Sequence, residues 1–297
     1  MVRWLTTYAT AGLVLGLLFA VVTPLTTQAA TTEKESITVS PVSKSLKLDA
    51  GQVFSDELTV VNDGGTDYTF TVSAQPYSVR NEDYEPDFFT SKTNTDIKDW
   101  VSFTRTTYRI KAGQTQVVPF EIKVPTGATP GGHYGVIFAE TQPGDQPVAG
   151  NSVERKKRVG TLLYATVNGT FRTGGSFTGI RTPGLQFTRP HKSELNVKNT
   201  GNVDFPVTTI LAVSDLFGSR KFTGEQTYQV LPQTSRRISL VWDKSPGFGF
   251  YKVVTSAKFL DQETSKTSFV LVAPIVFYMV FAVGLLGAVI YFVAKRR

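Results

Sequence analysis

Leu58-x-Val60-x-Asn62-x-Gly64-x-x-Asp67-Tyr68 returns later in the chain as Leu195-x-Val197-x-Asn199-x-Gly201-x-x-Asp204-Phe205, at identical spacing. In each copy two apolar residues alternate with their neighbours, the pattern of a strand with one buried face. Asn and Gly then supply a tight turn, and an aromatic residue opens the next strand. A second echo joins Ile110–Val124 to Val230–Lys244, at a different offset. A unit repeated in this way predicts two sandwiches of one kind in tandem.

The same period of two runs through the rest of the central chain. Tyr68, Phe70 and Val72 alternate with polar residues, as do Val118, Phe120, Ile122 and Val124 after the turn at Ala112-Gly113. Ile238, Leu240 and Trp242 repeat the pattern after Leu231-Pro232-Gln233. Short alternating runs punctuated by Gly, Pro and Asn predict an all-β fold of two tandem immunoglobulin-like β-sandwiches. The first covers residues 35–172, with strands near 37–40, 45–48, 53–61, 67–74, 100–110, 115–124, 133–140 and 159–168. The second covers 176–272, with strands near 184–188, 193–198, 206–213, 226–231, 236–242, 250–259 and 266–272. Thr173-Gly-Gly175 reads as the linker between two independently folding units, and Trp100 as a core residue.

The two ends are apolar and differ in kind. Arg3, an apolar run from Ala9 to Val22, Pro24 and the small residues up to Ala30 make residues 1–29 a secretory signal peptide. Residues 274–293 carry no charge across 20 positions, about 30 Å as a helix, which matches the hydrocarbon core. Twelve of them are Leu, Ile, Val or Phe, worth about −4 to −7 kcal/mol for insertion. This is a C-terminal transmembrane helix. Lys295-Arg-Arg297 falls in the basic tail, 294–297, which stays cytoplasmic and leaves the two sandwiches outside the cell.

The chain has 297 residues, 41% hydrophobic and 19% charged, a composition that folds. It contains no cysteine, so each sandwich must hold by its core alone. Of its 31 basic residues, Arg3, Lys295, Arg296 and Arg297 belong to the terminal segments, leaving 27 against 24 acidic residues. The ectodomain is nearly neutral, which gives no ground for nucleic-acid binding.

Catalytic patterns are missing. The two histidines, His133 and His191, fall in different domains, no thiol exists, and neither a nucleophile elbow nor a phosphate loop is present. The expectation is a protein that is not an enzyme and takes no cofactor. Two loops stand out. Arg80–Asp99 gathers Glu82, Asp83, Glu85, Asp87, Asp96 and Asp99 around Tyr84, Phe88 and Phe89. Long loops in compact sandwiches carry function, so Tyr84, Phe88 and Phe89 are the candidate ligand-binding residues, with rings for sugar C–H faces. The carboxylates suit a hard cation, although their spacing fits no EF-hand. Gln142–Arg158 ends in Arg155-Lys-Lys-Arg158, a run for anionic polymer or lipid headgroups.

Pro41-x-x-x-x-Leu46-x-Leu48-x-x-Gly51, then Leu58-x-Val60-x-Asn62, Ile110-x-Ala112-Gly113, Val124-Pro125, Pro130-Gly-Gly-His-Tyr-Gly-Val-Ile-Phe138 and Arg158-Val-Gly-Thr-Leu-Leu163 follow in order. This order resembles the bacterial WxL-interacting protein family, with its signal peptide, immunoglobulin-like domain, second β domain and C-terminal helix. The resemblance implies peptidoglycan binding by residues 35–172. Two functions follow for a membrane-anchored bacterial surface protein. One engages cell-wall polymer or another exported surface protein. The alternative is a membrane-tethered, chaperone-like assembly factor that lends a strand edge to secreted or pilus-type subunits.

Overall fold

The computed structural model of the chain describes residues 36–90, 93–142 and 156–295. The signal peptide, Arg155 of the basic run and the last two residues of the tail lie outside them. The first half carries β1 (Thr38–Ser40), β2 (Ser43–Leu48), β3 (Val53–Val61), β4 (Tyr68–Pro76), β5 (Ser78–Val79) and β6 (Pro86–Asp87). It continues with β7 (Val101–Phe103), β8 (Thr107–Ile110), β9 (Thr115–Lys123), β10 (Gly131–Thr141) and β11 (Arg158–Val167). The second half carries β12 (Gly175–Arg181), β13 (Leu185–Gln186), β14 (His191–Asn199) and β15 (Phe205–Asp215). After these come β16 (Arg220–Val230), β17 (Ser235–Trp242), β18 (Gly249–Phe259) and β19 (Gln262–Val272). A helix of four residues, Ile97–Trp100, precedes β7, and a helix of 21, Ile275–Lys295, follows β19.

Among the described residues the fold is all-β apart from these helices and a 3-10 turn at Thr93–Thr95, and it forms two immunoglobulin-like sandwiches. In the first, the sheet β1-β3-β9-β7 packs on the sheet β2-β11-β10-β4-β8. In the second, β12-β14-β17 packs on β13-β19-β18-β15-β16. Inward residues alternate as the sequence predicts. Val118, Phe120 and Ile122 are buried in β9, and Ile238, Leu240 and Trp242 in β17. Trp100 is buried in the first core and lies 4.6 Å from the His133 ring.

The repeated Asn does the same work twice. Asn62 and Asn199 are fully buried at the ends of β3 and β14. The Gly64 N–H donates to Asn62 Oδ1 at 3.0 Å, and the Gly201 N–H donates to Asn199 Oδ1 at 2.8 Å. Each Nδ2 donates to a carbonyl four residues on, of Thr66 and Val203, both at 2.8 Å. The side chain thus replaces a missing backbone partner inside the turn.

Three elements depart from expectation. The single strand expected over 100–110 is the end of a helix followed by the separate strands β7 and β8. β12 begins at Gly175, inside the expected linker. That join is stitched: Thr200 N–H donates to Gly174 O (2.9 Å), and Asn202 N–H to Arg172 O (3.0 Å). β16 starts six residues before the expected 226. It is an edge strand with Arg220, Lys221, Thr223, Glu225, Gln226 and Thr227 exposed, so no alternation marks it.

The sandwiches share apolar surface. Tyr77, Val79, Tyr84, Tyr134 and Tyr164 of the first half belong to one buried cluster with the second core. The Tyr134 hydroxyl donates to Asp204 Oδ1 and accepts from the Asp204 N–H, both at 2.9 Å. Burial pushes the Asp204 carboxyl above its ordinary range, and the Tyr134 hydrogen bond only partly opposes this. Burial likewise raises the Tyr134 phenol. A carboxyl that holds its proton more tightly when folded favours folding most below its unfolded pKa. That contribution is lost as pH rises through the folded pKa. Urea unfolding at pH values rising above the ordinary carboxylate range is therefore expected to show a declining contribution from this site. Asp204→Asn should remove it, and identical pH slopes in the two proteins would count against the assignment.

Candidate functional site

The acidic-aromatic loop is a small hairpin, β5 and β6, whose tip enters the second sandwich. Asn81 shapes the tip, its carbonyl accepting from Tyr84 N–H at 3.1 Å and its Oδ1 from Glu85 N–H at 3.2 Å. Tyr84 takes φ +62°, a left-handed conformation that costs a bulky residue energy. Its ring, 9% exposed, lies under the Arg236 guanidinium at 4.1 Å. Its hydroxyl shares a 2.6 Å hydrogen bond with Thr234 Oγ1 and accepts from the Leu231 N–H at 2.8 Å. Phe88 packs edge-on against Phe138 at 4.9 Å and lies 6.1 Å from Tyr77. Phe89 is 81% exposed. The structure therefore does not bring the three rings to one surface.

The loop's carboxylates are also engaged. Arg237 bonds Asp83 at 3.0 Å and Glu82 at 3.1 Å. Arg80 pairs with Glu85 and Asp87, His133 with Asp96, and Lys98 with Asp99. No group of three His, Asp or Glu side chains among the described residues is placed to hold a metal ion. His133 is buried, its second ring nitrogen 2.8 Å from Thr129 O. In the basic run, Lys156 pairs with Glu140 and Arg158 lies over Phe138.

A different place has unused bonding capacity. β16 ends one sheet of the second sandwich, and β17 ends the other on the same side. Between them lies an open seam of about 270 Å³. Leu211 and Leu240 of the core reach it, with Phe222, Gly224, Ser239 and Val241 along its rims. A Cβ on Gly224 would come within 2.9 Å of the Phe222 ring, so glycine lets that ring lie back along the strand.

Backbone parity shows which groups face the opening. On β17, the Arg237 N–H points away from β14 and donates to Glu82 O at 2.7 Å. Ser239 and Val241 share its parity, so their N–H and C=O groups point the same way. On β16, Gln229 O points away from β15 and accepts from Arg236 at 2.5 Å. Thr227, Glu225 and Thr223 share that parity. Arg236 thus closes the seam near the sandwich junction, and beyond it two edges stand open.

The first sandwich shows what fills such an opening. Val118, Phe120 and Ile122 of β9 match Ile238, Leu240 and Trp242 of β17 in burial and turn context. There β7 pairs on the outer edge of β9, with Val101 opposite Ile122 and Phe103 opposite Phe120. The buried Ile97 and Trp100 plug the space beside it. Among the described residues, the second sandwich has no counterpart of this segment. Sequence reasoning missed the seam because an absent strand leaves no signal. The one available sign was the repeat itself, whose second copy lacks residues equivalent to 97–103.

No family model and no curated protein matches the chain. Solved structures with a similar fold include several chaperones of fimbriae and pili. The class 5 fimbriae chaperone CfaA is 13% identical at a TM-score of 0.40, covering 78% of this chain and 99% of that chain. A chain of the CsuC–CsuE chaperone–tip adhesion subunit complex from Acinetobacter baumannii is 12% identical at 0.39, covering 78% and 98%. The E. coli chaperone DraB is 14% identical at 0.38, covering 79% and 95%.

Proposed function

We propose that this protein is a membrane-tethered, non-enzymatic assembly factor that holds an extended segment of an exported protein in the seam between β16 and β17. The observation that carries this reading is the pairing of β7 on β9 in the first sandwich, against the edge of β17 in the second, open beyond Arg237. A guest strand would pair with Ser239 and Val241 or with the β16 edge, and set an apolar side chain over Leu211 and Leu240. Main-chain pairing is tolerant of sequence, while the cleft selects apolar residues at alternate positions. The helix Ile275–Lys295, mean hydropathy 2.4 and without buried residues, is long and apolar enough to span a bilayer. Its basic end belongs in the cytoplasm, which leaves both sandwiches on the exported side.

A photo-crosslinking amino acid at Thr227 in living cells should give a discrete adduct with an exported protein, joined through an extended peptide. The same probe at Val117, an exposed residue of β9, should give none of that adduct. Equal labelling at both sites would remove the seam as the point of contact. Engagement of cell-wall polymer predicts instead that the ectodomain stays on purified sacculi through the 80–99 loop. Of Tyr84, Phe88 and Phe89, only Phe89 offers a freely exposed ring for it.

A further inference from the structure

Of the large apolar residues that remain exposed on the second sandwich, six gather at one end, while Leu260 is in the opposite turn. The β15–β16 turn carries Leu216 and Phe217, the latter 97% exposed. Phe248 precedes β18 and Phe250 is near its start, and the segment around β13 carries Leu185 and Phe187. Strand register places these three sites at one level. Asp215 is opposite Tyr251, Gly249 opposite Val272, and Gln186 opposite Val272. The helix of 21 residues begins three residues after Val272. The tip of the β15–β16 turn is therefore within about two residues, ~7 Å along the strand axis, of the level where the helix begins.

This end is held by specific contacts. Asp215 Oδ1 accepts from the N–H groups of Phe217 and Ser219, at 3.0 and 2.9 Å, and fixes the turn that presents Phe217. Phe187 meets Tyr278 at 4.9 Å, Phe248 meets Phe277 at 5.2 Å, and the Tyr278 hydroxyl donates to Leu271 O at 3.2 Å. The first turn of the helix is thus docked on the sandwich. Exposed Arg189, Arg220 and Lys244 lie at this end. Rings beside cations at the start of a spanning helix match the interfacial layer of a bilayer, where rings enter the acyl boundary and cations meet phosphate. In water the same residues would be an unpaired apolar patch.

We infer that this end of the second sandwich is a lipid-binding foot: Phe217, Phe248 and Phe187 enter the headgroup region around the helix, and Arg189, Arg220 and Lys244 contact anionic lipid phosphates. The inference rests on the helix being the membrane anchor. The foot would hold the sandwich upright, with the Phe222 end of the seam toward the membrane.

The chain has no cysteine, so single-cysteine variants of the full chain take one label each. Phe217→Cys, Phe248→Cys, Leu260→Cys and Leu286→Cys would carry an environment-sensitive fluorophore in phosphatidylethanolamine–phosphatidylglycerol vesicles. Leu260 is in the opposite turn of β18 and β19, some 11 residues or ~35 Å away. Quenching lipids with shallow and with deep spin labels then report depth. Expected is shallow quenching and a blue shift at 217 and 248, deep quenching at 286, and neither at 260. Deep quenching at 286 with none at 217 and 248 overturns the foot and leaves the anchor standing. No quenching at 286 overturns the anchor, and the foot with it. Shallow quenching at 260 as well as 217 would mean a sandwich lying flat, which also overturns the upright foot.

Discussion

Replacing Tyr84 by alanine is expected to destabilise the paired sandwiches by about 3–5 kcal/mol, the usual cost of truncating a buried aromatic side chain. The ring is buried between the halves, under Arg236, and its hydroxyl accepts from the buried Leu231 N–H. Alanine leaves that N–H unpaired in a site that water does not readily reach, which adds to the cavity term. Tyr84→Phe keeps the ring and loses only the hydroxyl, so it should cost about 1–3 kcal/mol. Urea unfolding of the two variants separates packing from hydrogen bonding. A loss below about 1 kcal/mol for Tyr84→Ala would contradict the structural role and return the ring to the list of ligand-binding candidates.

Much of the fold was legible because one face of most strands is buried. The Leu58 and Leu195 repeats appear in the sequence as they appear in space, with Asn62 and Asn199 in the same hydrogen-bonded turn. The C-terminal helix was equally plain, since a run without charge has few other uses. What escaped notice lies where burial stops alternating. β12 and β16 are edge strands with much of their length exposed, and Gly175 reads as linker although it starts a strand. The 80–99 loop shows a different limit. Its aromatics and carboxylates were visible, but sequence cannot say that Arg236 and Arg237, some 150 positions away, receive Tyr84, Glu82 and Asp83. Aromatic content signals burial as readily as binding, and only the partner strand distinguishes them.

The seam gives the second large expectation, loss of guest binding from a substitution that leaves the fold intact. Proline is tolerated on an edge strand where the N–H faces outward, because no ladder hydrogen bond is broken. Pro119 of β9 is such a case, at the position equivalent to Ser239 and beyond the reach of β7. Glu225 of β16 has an outward N–H by the parity that Gln229 defines. Glu225→Pro should therefore change the melting temperature little. It removes one donor for a guest strand and adds a ring that blocks close approach, so affinity should fall about tenfold or more, at least 1.4 kcal/mol. Gln226→Pro is the contrasting variant. Its N–H faces β15, so proline there should destabilise the sandwich itself.

The most direct measurement is the yield of the Thr227 photo-crosslink in wild-type and Glu225→Pro cells, with melting temperature followed in the same proteins. An extended guest held at the β16 edge predicts an adduct in the wild type, its loss in Glu225→Pro, and nearly equal melting temperatures. An adduct of undiminished yield in a stably folded Glu225→Pro protein would contradict pairing of the guest strand at the β16 edge.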